Sequence, residues 1–338
     1  MKNKKLVRLC GLTLALVLGM ATLAGCGDKK GSGQETQVSA QASQESSQGN
    51  GSEADRDAGG NTEETSGSSQ SVESDAKGSE ESTEGIQPGE NGFYQVSSVE
   101  ELLEAIRPGA GITIAPGKYN LTDFLGTLSD DQITKWNNDH PYVQIYEVFD
   151  GLEIWVHSVP DLYIEGGSKN TADTEIVTEP RYACLLTFCN CPNLELQYLT
   201  MGHTDRGNCS GDVLDFNSCR DVKLTSMDLY GCGVYGIGAV NRCGDFLVKD
   251  SVIRDCEYGP LTMEGCKGAI VFENCSLTGS LGGGFFEYRE DASLTFKKCS
   301  FGENETNSWY FDEYATFEDC EWSEITMYPD YEYPDIEG

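Results

Sequence analysis

The chain has 338 residues, with 56 Asp and Glu against 23 Lys and Arg, a formal net charge of -33, 14 cysteines and 3 histidines. So acidic a balance argues against nucleic acid as a partner, because phosphate binding needs basic patches that release counterions. Three histidines also leave little material for a multi-histidine metal site. The charge divides the chain into three parts: residues 1–26 carry +4, residues 27–91 carry -10 and residues 92–338 carry -27.

Residues 1–25 read as an export signal. Lys2, Lys4, Lys5 and Arg8 precede an uncharged run over 9–25, which is a charged n-region followed by an apolar h-region. That run is near the lower length limit for a membrane span. It ends in Leu23-Ala24-Gly25-Cys26, which resembles the lipobox of bacterial lipoproteins. The resemblance implies cleavage before Cys26, lipidation of that thiol, and a mature chain held on the outer face of a membrane, which is thereby its first partner. Two or more acyl chains anchor stably where one does not.

Residues 26–91 are expected to be a lipidated cysteine followed by a disordered tether. Apart from alanine, the only aliphatic or aromatic residues over 27–91 are Val38, Val72 and Ile86, too little apolar surface to offset chain entropy. As a Ser/Gly/Glu-rich coil this stretch would span roughly 40–50 Å root-mean-square.

Folding is expected from Gly92 to the end, over 92–338. Ser97 or Ser98 can cap a helix with Glu100 or Glu101 three residues on. Val99, Leu102, Leu103 and Ile106 then share a face, and Pro108-Gly109 ends it. No second helix is expected. From there, short apolar alternations recur on the template apolar-x-apolar-x-x-apolar-x-apolar. It fits Leu194, Leu196, Leu199, Met201, then Val222, Leu224, Met227, Leu229, and continues to Ala315, Phe317, Cys320, Trp322. The second template position advances by 28, 24, 24, 24 and 21 residues. Phe188, Phe216, Val240, Met263 and Tyr288 mark the end of a further strand before most of these units. A period near 24 residues, with period-2 faces and no helices between, predicts a parallel β-helix of at least two strands per coil. Propeller blades are longer, about 40–45 residues.

The segment Ile112-Thr113-Ile114-Ala115-Pro116-Gly117-Lys118-Tyr119 after a capping helix, with the coils over 150–322, resembles the right-handed parallel β-helix proteins of the pectate-lyase-like superfamily. The resemblance implies an all-β, right-handed parallel β-helix with a short N-terminal capping helix. It does not extend to that family's catalytic patterns. The only Asp-Asp is Asp130-Asp131, before the coils, Gly202-His203 is followed by Thr204, and Arg-x-Pro-x-x-Arg is absent. A domain at -27 also repels anionic pectin unless Ca2+ bridges the two, which makes Ca2+ the one cofactor to consider.

Beyond Cys10 and Cys26, 12 cysteines remain, and the repeat places them. Cys191, Cys219, Cys243 and Cys266 fall one per coil, and Cys275, Cys299 and Cys320 share the third template position. Stacked coils put equivalent residues about 4.8 Å apart, so columns of buried thiols are expected. Cross-coil disulfides are the alternative in an exported protein, although a column spacing exceeds the usual Cβ separation of about 3.8 Å. No Cys-x-x-Cys pair signals a metal.

Outward positions on the strand before each template unit carry the candidate site. The expected columns are Thr187, Asp215, Ala239, Thr262, Glu287 and Cys189, Asn217, Asn241, Glu264, Arg289. Glu264 and Glu287 then sit diagonally on adjacent coils, about 8 Å apart, within the range of about 5–9.5 Å that glycosidase carboxylates use. Arg289 would bind a uronate or hold an acid ionised. A solvated acidic face is the alternative, and Asp215, Asn217 and Asn241 are the ligand-binding candidates beside it. His203, Asp205, Cys209 and Asp212 crowd one Gly-rich loop, either a ligand loop or a turn that lengthens a coil. Residues 125–157 interrupt the repeat with Trp136, His140, Tyr142, Tyr146 and Trp155, rings that either receive a sugar or pack over the first coils. The acidic, aromatic stretch 309–333 reads as an end cap.

Three functions follow as expectations. The first is a lipid-anchored surface module that binds extracellular ligand, polysaccharide above all, without established catalysis. The second is a polysaccharide lyase or glycoside hydrolase using Glu264, Glu287 and Arg289. The third is a structural or adhesive display protein.

Overall fold

In the computed structural model, the described residues are 86–205, 210–231, 234–280, 286–288, 292–306, 315–323 and 326–327. The chain divides into two units, 1–76 and 77–338, and every described residue belongs to the second. The expected signal, Cys26 and most of the expected tether lie outside the described residues, as does most of 309–333.

The described chain winds as a parallel β-helix. Three parallel sheets run along it. The first has nine strands, from Tyr94–Val96 to Ala315–Glu318, and the second has eight, from Gly117–Asn120 to Glu321–Ser323. The third has seven, from Val143–Val148 to Phe286–Tyr288. Each complete coil therefore supplies three strands, one to each sheet, in keeping with the expected minimum of two. The first two template positions lie in the first sheet and the fourth in the second. Five complete three-strand coils run from the strand Tyr163–Gly166 to the strand Phe286–Tyr288.

The template residues from Leu194 to Phe301 are buried in the core, and those of the last unit, Ala315 to Trp322, are half-buried or exposed. Phe188 stacks on Phe216 with ring centroids 5.6 Å apart, and Phe272, Phe296 and Phe317 continue as a second stack at 4.9 and 5.4 Å. Between strands the chain turns through left-handed residues. Tyr198, Ser226, Asp250, Asn274, Lys298 and Asp319 occupy one such bend in successive coils, with φ between 50 and 56°. This conformation favours Asn and Asp, whose short side chains tolerate it.

The ten cysteines among the described residues are free thiols. In the first column Cys219, Cys243 and Cys266 donate to the carbonyls of Phe188, Phe216 and Ala239, 3.2, 3.1 and 3.0 Å away on the preceding coil. Cys275 and Cys320 do the same to Val248 and Phe296 in the second column, where Ser251 takes the same place. The buried thiols Cys219, Cys243, Cys266 and Cys275 thus fill narrow corners of the core and bond carbonyls of the preceding coil.

Three α-helices cover the N-terminal end. The first, α1 (Val99–Ala105), is capped by Ser98, whose side chain accepts from the Glu101 amide. The other two, α2 (Leu121–Leu125) and α3 (Asp130–Asp139), correct the expectation of a single helix. They are short and lie in the stretch that breaks the repeat, so periodicity does not reveal them. Their caps do: Asn120 accepts from the amides of Thr122 and Asp123, and Ser129 and Gln132 form a capping box. Helix α3 also closes a sheet edge. The hairpin Val143–Val148 and Gly151–His157 starts the third sheet as its one antiparallel pair. The outer edge of Val143–Val148 meets Asn137, whose amide donates to the Ile145 carbonyl at 2.9 Å and accepts from the Ile145 N–H at 2.8 Å. Trp136 Nε1 donates to the Val143 carbonyl. Side chains of a helix here stand in for the missing strand.

Candidate functional site

The outer face of the third sheet brings together most of the groups expected to act. Trp155, Thr187, Asp215, Gly238, Thr262 and Glu287 are in register across six successive strands. Beside them run His157, Cys189, Asn217, Val240 and Glu264. Two expected positions are corrected. Ala239 points into the core with Phe216 and Met263, and Gly238 takes its outward place. Asn241 is not in the Asn217 column; it is exposed in the following bend, and Val240 stands there instead. The cause is one extra residue in that bend, where Asn241 and Arg242 are both left-handed. Cys243 consequently follows Ala239 by four residues, whereas Cys219 follows Phe216 by three.

Gly238 opens the centre of the face. A Cβ there would collide with Asp212 Oδ2 and stand 2.9 Å from Asp215 Oδ1, so both carboxyls lean over the same bare backbone. Asp212 Oδ1 accepts from the Tyr235 amide at 2.9 Å. Burial raises the pKa of both acids, well above the ordinary carboxylate range for Asp212 and up to about 7 for Asp215, with Cys243 and Glu153 adding to the Asp215 shift. Asp215 therefore holds its proton up to about pH 7. Nearby stands Glu153, only 8% exposed. Its Oε2 accepts from the Cys184 amide at 3.0 Å and its Oε1 from the Trp155 indole. Burial, then Asp212 and Asp215, pushes the Cys184 thiol pKa up, which keeps it protonated.

Aromatic rings flank these acids. Tyr146 pairs with Glu153 across the hairpin, and its ring lies 5.2 Å from that of Trp155 and 6.2 Å from that of His157. Phe149, 86% exposed, lies 5.0 Å from Tyr182. The loop carrying Tyr182 is held by Asp150, which accepts from the amides of Arg181 and Tyr182. On the next coils Tyr235 and Tyr258 are 6.2 Å apart.

The remaining candidates divide. Trp136 is not on this face: it is 8% exposed, packs on Phe124 and stacks on His140 at 3.9 Å. The exposed rings of the insert are Tyr146 and Phe149 instead. His203 is 2% exposed, with Nε2 donating to the Ala183 carbonyl and Nδ1 unpartnered, and burial lowers its pKa, so it is a neutral interior group. Of the loop that follows it, Asp212 joins the site and Cys209 lies outside the described residues. Glu264 is exposed, and Glu287 is in register with Thr262, two positions back on the neighbouring strand. The side chain of Glu287 and all of Arg289 lie outside the described residues. Among the described residues no group of three or more His, Cys, Asp or Glu is placed to hold a metal ion.

Spacing alone did not single out Asp212, Glu153 and Gly238 as partners of Asp215. The available signal was Tyr235-Gly236-Ile237-Gly238, a strand with two bare positions directly after an Asp-rich coil. No protein-family model matches the chain, and comparison with curated proteins gives no match.

Proposed function

We propose that this is a lipid-anchored surface protein whose β-helix binds an extracellular glycan on the outer face of the third sheet. One observation carries the reading: half-buried and buried carboxyls at Asp215, Asp212 and Glu153 lie beside a rim of exposed rings that includes Tyr146, Phe149 and Tyr182. Sugars present apolar ring faces and hydroxyl edges, which rings and fixed hydrogen-bonding groups recognise together. A protonated Asp215 donates to a sugar oxygen, whereas an ionised carboxylate accepts only. What supports the anchoring is the resemblance of Leu23-Ala24-Gly25-Cys26 to a lipobox, which implies a domain held outside the cell at the end of the Ser/Gly/Glu-rich stretch.

The test is a panel of neutral and acidic polysaccharides, with and without Ca2+, offered to the full chain. Retention that falls in Trp155→Ala and Asp215→Asn supports the reading; retention unaffected by both refutes it. Anchoring is checked by incorporation of labelled fatty acid, which Cys26→Ala must abolish.

The closeness of Asp215 and Glu153 favours a second reading, glycoside hydrolysis. Asp215 would protonate the leaving oxygen, while Glu153, already accepting two N–H donors, would take the proton of the attacking water. Release of reducing ends that disappears in Asp215→Asn would establish it, and retention without product would dismiss it.

A further inference from the structure

A groove lies away from the third-sheet face, along the bend between the first and second sheets. It has a volume of about 570 Å³. One wall is the left-handed column Asp250, Asn274, Lys298 and Asp319. The other is the column Val252, Ser276, Ser300 and Glu321, in register on four successive strands of the second sheet. Beneath them lie Ser251, Cys275 and Cys299.

The groove occupies the coils in which the bend is built from small residues. At the third template position the earlier coils carry Leu199 and Met227, and the groove begins where these give way to Ser251, Cys275 and Cys299. The polar atoms of that floor are already used. Ser251 Oγ donates to the Lys249 carbonyl and accepts from the Met227 amide, and Cys275 and Cys299 donate to carbonyls of the preceding coil. The walls are different. Asn274 donates to Asp250 at 2.7 Å, and this is the one side-chain hydrogen bond among the wall residues. The hydroxyls of Ser276 and Ser300, the ammonium of Lys298 and the carboxylates of Asp319 and Glu321 face the groove without a side-chain partner among the described residues.

The wall positions recur once per coil, about every 4.8 Å, each with a different side chain. An extended peptide advances about 3.3 Å per residue and a polyproline helix about 3.1 Å, so successive peptide units fall out of step with the walls. An extended β-1,4-linked pyranose chain advances by close to one coil per sugar and offers hydroxyls at every step. Three carboxylates against one ammonium disfavour an acidic polymer.

We propose that this groove is a binding track for a neutral, linear, β-1,4-linked polysaccharide lying along the helix axis, separate from the third-sheet face. The track does not depend on the third-sheet reading, and the experiment keeps the two apart.

The full chain carrying Trp155→Ala is run in native gels containing hydroxyethylcellulose, with polygalacturonate as the acidic comparator. Ser300→Tyr fills the groove from an exposed position, and Lys298→Asn removes the ammonium while keeping a residue suited to left-handed backbone. The expected result is retardation by hydroxyethylcellulose alone, weakened about tenfold in affinity by each variant, with unchanged thermal unfolding. The proposal is overturned if the Trp155→Ala chain is not retarded, if polygalacturonate retards it equally, or if a Ser300→Tyr chain with native unfolding binds undiminished. Binding of an extended proline-rich peptide at this groove, in place of the glucan, would overturn it as well. Loss of all glycan binding in Trp155→Ala alone would leave the third-sheet reading standing and remove this one.

Discussion

Replacing Asp215 with asparagine will change the stability of the domain by an amount that depends on pH, and the sign follows from its raised pKa. Its folded pKa is raised from 3.8 to about 7 by burial, then by Cys243 and Glu153. Between those values the folded state holds a proton that the unfolded state has released, so stability falls as pH rises through this window and levels off above about 7. A shift of that size corresponds to about 4 kcal/mol at about 1.36 kcal/mol per pH unit, a ceiling for a half-buried group. Asparagine keeps the shape and carries no charge, so it escapes this cost. Urea unfolding of Asp215→Asn and of the parent at pH 4 and pH 8 measures the effect. The variant's advantage must grow between the two, by up to about 4 kcal/mol. A difference that stays constant across pH, or that moves in the parent's favour between pH 4 and pH 8, would show that Asp215 is an ordinary ionised carboxylate and would refute the reading of the site as a neutral donor.

Other expectations test the frame that holds the site. Asn137→Ala removes both side-chain bonds to Ile145 at the edge of the third sheet. It will cost about 1–3 kcal/mol in urea unfolding and raise light scattering as the edge is bared; an unchanged midpoint would count against the edge-capping role. Phe216→Ala breaks the ring stack and will cost about 3–5 kcal/mol, whereas a loss below about 1 kcal/mol would be inconsistent with a close-packed interior. Under native conditions a thiol reagent will leave Cys191, Cys219, Cys243 and Cys266 unlabelled, and after denaturation without reductant it will label all four. Cross-coil disulfides would prevent the second step.

The β-helix was legible because its cause is periodic. A coil must present its apolar side chains inward at each turn, so Leu196, Leu224, Val248, Phe272 and Phe296 recur at nearly fixed spacing, and the cysteine columns follow the same rule. The third strand of each coil was harder to read, since segments such as Thr200–His203 and Asp228–Tyr230 carry only one inward template residue each. The helices α2 and α3 have no periodic partner and announce themselves only through Asn120 and Ser129. Asp215 and Asn217 were legible as outward residues, but their neighbours were not. One additional left-handed residue at Asn241-Arg242 shifts the register of a whole strand, and no count of apolar positions detects it. Glu153 reaches the site from the hairpin that interrupts the repeat, so its proximity to Asp215 is a product of tertiary structure alone.

The central claim is that the third-sheet face binds glycan through Trp155 and Asp215. Isothermal titration of the parent chain and of Trp155→Ala, with the glycan retained most strongly from the panel, tests it most directly. The account predicts a saturable isotherm for the parent and an affinity about tenfold or more weaker for Trp155→Ala. Equal affinities for the two proteins would contradict it.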